Sequence, residues 1–397
     1  MPITKSVEVV WRLRIACAAV PCLAIMFGAM PARAQQAAAS DELILAGDAP
    51  VTALPLAMDL SPKIEKRDLA KAIRKVGDWQ LQRARPNFNQ GWTFGALYAG
   101  FMAVPRQVAG ERYQKAMLDM GRKFNWQLGP RHTHADDQAI GQAYLELYLR
   151  HHDKAILTPT QDRMDELMSL PGSPDLKSEP LWWWCDALFM APPVFADLSK
   201  ATGARKYLDY MDRQWWITSG LLYDPVQHLY SRDDSFLHKT EANGSKLFWS
   251  RGNGWVMAGL ARVLETMPKK YPSRTKYEAQ FKEMAVAVVA LQGSDGLWRP
   301  GLLDAKAYPL PENSGSAFIT YALAYGVNHG LLGGKTYRPV IEKAWAGLLA
   351  HVYEDGRLGC IQPIGGAPGQ YSETASYVYG VGAYLLAGSE LYKMADR

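Results

Sequence analysis

Cysteine is scarce in this chain, with four in 397 residues. Two of them, Cys17 and Cys22, lie in the apolar N-terminal stretch, so only Cys185 and Cys360 remain for the folded body. That excludes a disulfide-dense scaffold; one bridge between Cys185 and Cys360, or two buried thiols, both stay open. No Cys/His group has zinc-ligand spacing. Charge of one sign is lacking too. The formal net charge is +5, but the first 34 residues hold Lys5, Arg12, Arg14 and Arg33 against Glu8 alone, which leaves about +2 on the rest. A basic footprint for nucleic acid is therefore excluded. Beyond the N-terminus no apolar run is long enough to span a bilayer. Strand signals are confined to short pieces, such as Gly296–Arg299 and Tyr223–Tyr230, which suit hairpins at one rim. Nothing resembles a nucleophile elbow, a Walker loop or a dinucleotide fingerprint.

The N-terminus reads as a secretory signal peptide over residues 1–34. A basic segment precedes the apolar stretch Ile15–Met30, and Ala32-Arg33-Ala34 is a small-x-small cleavage site before Gln35. A membrane anchor is the second reading, and the absence of a lipobox before Cys22 argues against a lipoprotein. The expected address is the periplasm or beyond. Residues 35–60, rich in Ala, Asp and Pro, read as a loose leader, and residues 61–397 as a single domain.

After residue 60, amphipathic helical segments recur about twelve times. They alternate in character. Segments such as Ile64–Lys71 are charged on one face, whereas Gly315–Gly326 is small and apolar nearly all round and has to be buried. Six outer–inner pairs in sequence predict an all-α fold, a closed (α/α)6 barrel; an open α-solenoid is the alternative. Closure is favoured by the long, aromatic and polar stretches before the inner helices, which would gather into one funnel.

Those stretches carry the candidate site. They are Gly91-Trp92, His132–Asp137, Trp182–Asp186, Trp249–Trp255, Glu312–Gly315 and Tyr371–Thr374. The chain has 13 tryptophans, and three of them run directly into Asp186, which suggests sugar stacking beside a working acid; the plain alternative is a helix-capping Asp. Asp136 or Asp137 would supply the second carboxyl that a glycosidase needs, the other serving as a cap. Arg251 and Trp255 share a helix face at four-residue spacing and offer a carboxylate fork and a stacking surface; a structural ion pair is the alternative for the arginine. His132 and His134 lack a third metal ligand, so hydrogen bonding by His134 is expected. His228, Arg232 and Asp233 lie in the rim hairpin, within reach of a substrate. Trp92, Trp184, Glu312 and Ser372 complete the expected lining.

At these residues the chain resembles a known family. WWWCDALFMAPP and FWSRGNGWVMAGLARVLETMP, supported by HADDQAIGQAYLELY, ENSGSAF and QYSETASYVYGVGAYLL, resemble the unsaturated rhamnogalacturonyl hydrolases, glycoside hydrolase family 105, relatives of the unsaturated glucuronyl hydrolases of family 88. The resemblance spans roughly residues 65–395. It implies an (α/α)6 barrel without metal or organic cofactor. The implied reaction hydrates the C4=C5 enol ether of an unsaturated uronic acid at the non-reducing end of a lyase-generated oligosaccharide. By the same resemblance Asp186 is the acid/base and Asp136 the second essential Asp, with Asp137 one position away. The loop Tyr223–Phe236 departs from the family, which often has a His approaching the uronate there; His228, Arg232 or Asp233 would take its place. The substrate is then a pectin-type fragment, or an ulvan, arabinogalactan or glycosaminoglycan fragment. A toroidal polysaccharide lyase, an ordinary inverting glycosidase and a glycan-binding solenoid are the competing readings. A monomer and a homodimer are equally compatible with the sequence.

Overall fold

The computed structural model describes residues 45–170 and 181–396. The expected signal peptide and the leader up to residue 44 lie outside them. Six outer helices bury only part of their surface: α1 (Lys66–Ala84), α3 (Arg112–Lys123), α5 (Lys154–Ser169), α7 (Lys206–Leu222), α9 (Arg274–Ala290) and α11 (Gly334–Leu349). In α1 only one stripe, with Leu69, Ile73, Val76 and Gln80, is buried. Between them run α2 (Trp92–Ala103), α4 (Gly141–His151), α6 (Pro192–Thr202), α8 (Ser250–Thr266), α10 (Asn313–Asn328) and α12 (Val378–Met394). These inner helices are buried over most of their surface; in α10 every residue from Asn313 to Gly326 is enclosed. A helix apolar all round demands that position.

The inner helices close into a ring. Each packs on the next in chain order, and α12 packs on both α10 and α2, which rules out the open solenoid. Each inner helix also packs on the outer helix that follows it, and α12 on α1. Glycines make the closing seam possible: a Cβ at Gly100 of α2 would stand 2.6 Å from the carbonyl oxygen of Gly382 in α12, so only glycine allows the backbones to approach this closely.

Two expected helices are interrupted, both beside the site. The segment before α4 forms a separate turn, Ala135–Gln138, and the segment before α6 forms Ala187–Met190. The second break follows from Pro192-Pro193, which lack N–H groups and fit only the first turn of a new helix. The rim hairpin exists, with β2 (Tyr223–Asp224) antiparallel to β3 (Leu229–Tyr230). Gly296–Arg299 is irregular backbone rather than a strand.

The leader differs from expectation where it is described. Its β1 (Gly47–Asp48) pairs with β4 (Ser376–Tyr377), Ala57 N–H donates to the Val352 carbonyl at 2.8 Å, and the Arg357 guanidinium bonds Asp48 at 2.6 Å. Residues 45–60 therefore lie along the C-terminal part of the barrel rather than loose. Cys185 and Cys360 are both free and buried. Among the described residues no helix is long and apolar enough to cross a membrane.

Candidate active site

The N-terminal ends of the inner helices meet at one mouth, and Asp186 stands there at the entry to Ala187–Met190. Its loop is held by an antiparallel bridge from Trp184 to Asp233 and by the Cys185 N–H, which donates to the Arg232 carbonyl at 2.8 Å. Asp186 is only 9% exposed. Burial raises its pKa above the usual carboxylate range, against the opposing charges of Arg232 and Arg251 and a thiol hydrogen bond from Cys185. That bond, Cys185 Sγ to Asp186 Oδ2, is 3.6 Å long. A buried carboxyl that keeps its proton longer than usual is suited to general-acid work.

The neighbouring turn separates Asp136 from Asp137. Asp137 is buried and clasped: Arg131 donates to it from its backbone N–H at 2.6 Å, from Nε at 3.0 Å and from Nη2 at 2.5 Å. This corrects the expectation of Asp137 as a substrate contact, because its oxygens are committed to shaping the turn. Asp136 keeps more exposure, with Oδ2 3.8 Å from Arg131 and 3.5 Å from His134 Nδ1. His134 caps the turn by accepting the Asp136 N–H at 3.3 Å. Burial first, and the nearby Arg131 second, push the His134 pKa down to about 4, so the imidazole is neutral at pH 7. With Nδ1 accepting, the proton sits on Nε2, free to donate. The His134 ring lies 4.8 Å from that of Trp184, and the two turns, Ala135–Gln138 and Ala187–Met190, pack together. Asp136, His134 and Asp186 thus belong to one cluster.

Arg232 takes the place left open in the rim loop. Its Nε is 3.7 Å from Asp186 Oδ2, and its Nη1 donates to Asp233 at 2.6 Å. Asp233 is held in turn by Ser235, so it orients the guanidinium rather than meeting a ligand. Arg232 Nε is buried and forms no hydrogen bond among the described residues. Trp183, which residue type alone did not distinguish from its neighbours, is the exposed indole of the triplet. It is 37% exposed, against 0% for Trp182 and 4% for Trp184, and the Arg232 guanidinium lies 5.4 Å from its ring centre. Trp184 is therefore packing for His134, and the open stacking face belongs to Trp183.

Several expected contacts are structural instead. Arg251 is 1% exposed; it donates to the carbonyls of Gln362 at 2.5 Å and Pro363 at 2.7 Å, so its fork is filled by backbone. Trp255 is fully buried among Phe189, Phe318 and Trp92 and offers no free face. Glu312 is the buried N-cap of α10, accepting from Ser314, Gly315 and the Gln362 N–H. His228 sits at the hairpin tip with φ +53° and turns outward to Tyr223 at 3.0 Å and Glu283 of the outer helix α9 at 3.6 Å. Ser372 is exposed and bonds Thr374, which is tied to Pro50, with no contact to the Asp186 cluster. Trp92 stays at the mouth, half-buried, stacked on Tyr379 at 5.3 Å. Gln362, missed in the sequence, is the hub of an irregular strap, residues 359–371, between α11 and α12: besides Arg251 and Glu312 it binds Trp249 Nε1 and the Ala367 carbonyl. Its only sequence signal was a Gly/Pro-rich stretch with no motif.

Comparison with known proteins agrees with this geometry. Residues 66–395 match the profile of Glycosyl Hydrolase Family 88. A relative from Formosa agariphila, named unsaturated 3S-rhamnoglycuronyl hydrolase, is 41% identical over 82% of this chain and 91% of its own length. Among solved structures, a family 88 glycosyl hydrolase from Bacteroides vulgatus is 29% identical with a TM-score of 0.78, covering 83% of this chain and 99% of that one. A protein described as a polysaccharide lyase is 31% identical with a TM-score of 0.77, covering 83% and 98%. The chain belongs to glycosyl hydrolase family 88 and is a glycoside hydrolase with an (α/α)6 toroid fold.

Proposed function

We propose that this chain removes a 4,5-unsaturated uronic acid from the non-reducing end of lyase-generated oligosaccharides by hydrating the C4=C5 enol ether. The observation that carries the reading is Asp186, a buried carboxyl with a raised pKa held 3.7 Å from the Arg232 guanidinium. Asp186 gives its proton to C4. Water adds to C5, and its other proton returns to the Asp186 carboxylate. The C5 hemiketal then opens to a ketone, and the ring oxygen becomes a hydroxyl on C1. That C1 hemiacetal collapses, releasing the shortened sugar with its own oxygen. Asp136 and His134 Nε2–H hold ring hydroxyls, and Trp183 covers one sugar face. Arg232 takes the uronate carboxylate, aided by the N-terminal ends of the inner helices, which favour negative charge.

The name of the Formosa agariphila relative supports a rhamnose carrying a 3-sulfate as the sugar beyond the scissile bond, in place of an unsulfated pectin fragment. The signal-peptide pattern over residues 1–34 supports export to the periplasm or beyond.

Near-ultraviolet absorbance tests the reaction. On unsaturated oligosaccharides from a sulfated rhamnose–uronate polymer, absorbance falls as the conjugated double bond is hydrated. A rise on the intact polymer would mean that the chain is a lyase, as one of its structural relatives is described.

Two substitutions test the roles. Arg232→Gln removes a charge-assisted contact, worth about 1.5–3 kcal/mol, and is expected to raise KM roughly tenfold to a hundredfold with a smaller change in kcat. Cys185→Ala removes the thiol bond that favours the ionised form of Asp186. The Asp186 pKa rises further, so the limb on which kcat falls with rising pH moves to higher pH. An unmoved limb would mean that the thiol does not tune the acid.

A further inference from the structure

Two irregular segments meet at the rim beyond the Arg232 loop. One is a tight hairpin: Thr240 bridges Lys246, the Glu241 N–H donates to the Ser245 carbonyl at 2.8 Å, and the Gly244 N–H donates to the Glu241 carbonyl at 3.0 Å. The other is the stretch before α10 that carries Gly301, Asp304 and Tyr308. Asn243 joins them, its N–H donating to Asp304 Oδ2 at 3.1 Å and its Nδ2 to the Leu303 carbonyl at 2.8 Å.

Two carboxyls are buried in this seam, Glu241 at 6% exposure and Asp304 at 7%. Glu241 Oε2 accepts the Tyr308 hydroxyl at 2.9 Å. Its Oε1 is buried and forms no hydrogen bond among the described residues. It lies against bare backbone, since a Cβ at Gly301 would collide with it. Burial raises the Glu241 pKa, against the Tyr308 hydroxyl, and the charge of Asp304 raises it further; no basic group acts on it. The lysines of the two segments are turned elsewhere. Lys246 holds Asp224 at 2.6 Å, Lys239 lies over the Phe236 ring, and Lys306 is exposed. Among the described residues neither carboxylate takes part in an ion pair. Two facing buried acids without a cation are costly, and a bound cation removes that cost. Among the described residues no group of three or more His, Cys, Asp or Glu is placed to hold a metal ion, so the other ligands would be carbonyl oxygens and water. An all-oxygen set of that kind suits calcium rather than zinc.

We propose that this seam binds a calcium ion, held by Glu241 and Asp304 with backbone carbonyls of the two segments and water. The ion would pin the hairpin to the stretch before α10. It takes no part in hydrolysis.

Calcium chloride is the probe, read by calorimetry and thermal melts on the full chain after treatment with a chelator. The wild-type protein is expected to bind one calcium with a Kd of roughly 0.1–1 mM, as extracellular calcium modules do, and 10 mM calcium is expected to raise Tm by roughly 2–4 °C. Magnesium, which demands a tighter octahedral shell, gives a smaller shift. Glu241→Gln keeps the shape of the side chain and relieves a buried charge. In chelator it melts at the wild-type temperature or above, and calcium adds nothing. Asp304→Asn weakens calcium binding at least roughly tenfold, the effect of losing one of two charged ligands. Absence of calcium binding by the wild type, wild-type calcium affinity in either variant, or an equal response to magnesium would each overturn the proposal.

Discussion

Replacing Asp186 with Asn is expected to lower kcat by roughly 10²–10⁴-fold, the usual contribution of a positioned acid, while the protein stays folded. Asn keeps the shape of the side chain and cannot give a proton to C4. The stability side has a definite sign. Burial raises the Asp186 pKa in the folded chain, so the unfolded chain ionises first. This group's contribution to stability therefore declines as pH rises from its unfolded value through its folded one. Asn has no proton to lose, so the variant should melt at the same temperature as wild type or higher at neutral pH. Parallel kinetics and thermal melts check both halves. A variant that retains activity would remove Asp186 from the chemistry; one that loses activity only by unfolding would make it a structural residue.

Arg251→Ala is expected to act on folding instead. The guanidinium holds the carbonyls of Gln362 and Pro363, lies 4.4 Å from the Trp249 ring centre and 4.9 Å from that of Tyr379, and stands 3.9 Å from the buried Glu312. Its removal leaves two carbonyls without their donor, a buried carboxylate without its facing cation and an empty volume. Breaking such a buried arrangement costs about 3–5 kcal/mol. For a chain of this size the loss lowers Tm by roughly 4–7 °C. A denaturant titration decides between this role and the substrate-fork role that residue type suggests. A variant of normal stability with a raised KM would restore the fork.

The architecture was legible in the chain because the outer and inner helices obey different burial demands. The charged stripe of α1 and the apolar circumference of α10 are opposite solutions to the same packing problem, and closure follows from their alternation. The site was legible only in part. The entries to the inner helices were identifiable, and Asp186, Asp136, His134, Arg232 and Trp92 do meet at one mouth. Which member of each pair faces the ligand was not identifiable, since that is set by distant or non-periodic partners. Asp137 is withdrawn by Arg131 across a turn with no repeat. Trp183 is exposed, and its neighbours are hidden, because Trp184 bridges to Asp233 on another loop. Arg251 and Trp255 do share a helix face, but that face is closed by a strap 111 residues away. His228 shares a hairpin with Arg232, yet a left-handed turn sends it toward the outer ring.

The most direct test of the central claim is proton NMR of a single unsaturated disaccharide turned over in D2O. Vinyl-ether hydration predicts that the H4 vinylic signal disappears as the glycosidic bond breaks, with one deuterium delivered to a single face of C4 and a ketone at C5. Release of the sugar with the vinylic H4 still present in the first-formed uronate would contradict the account and make Asp186 the acid of an ordinary glycosidase.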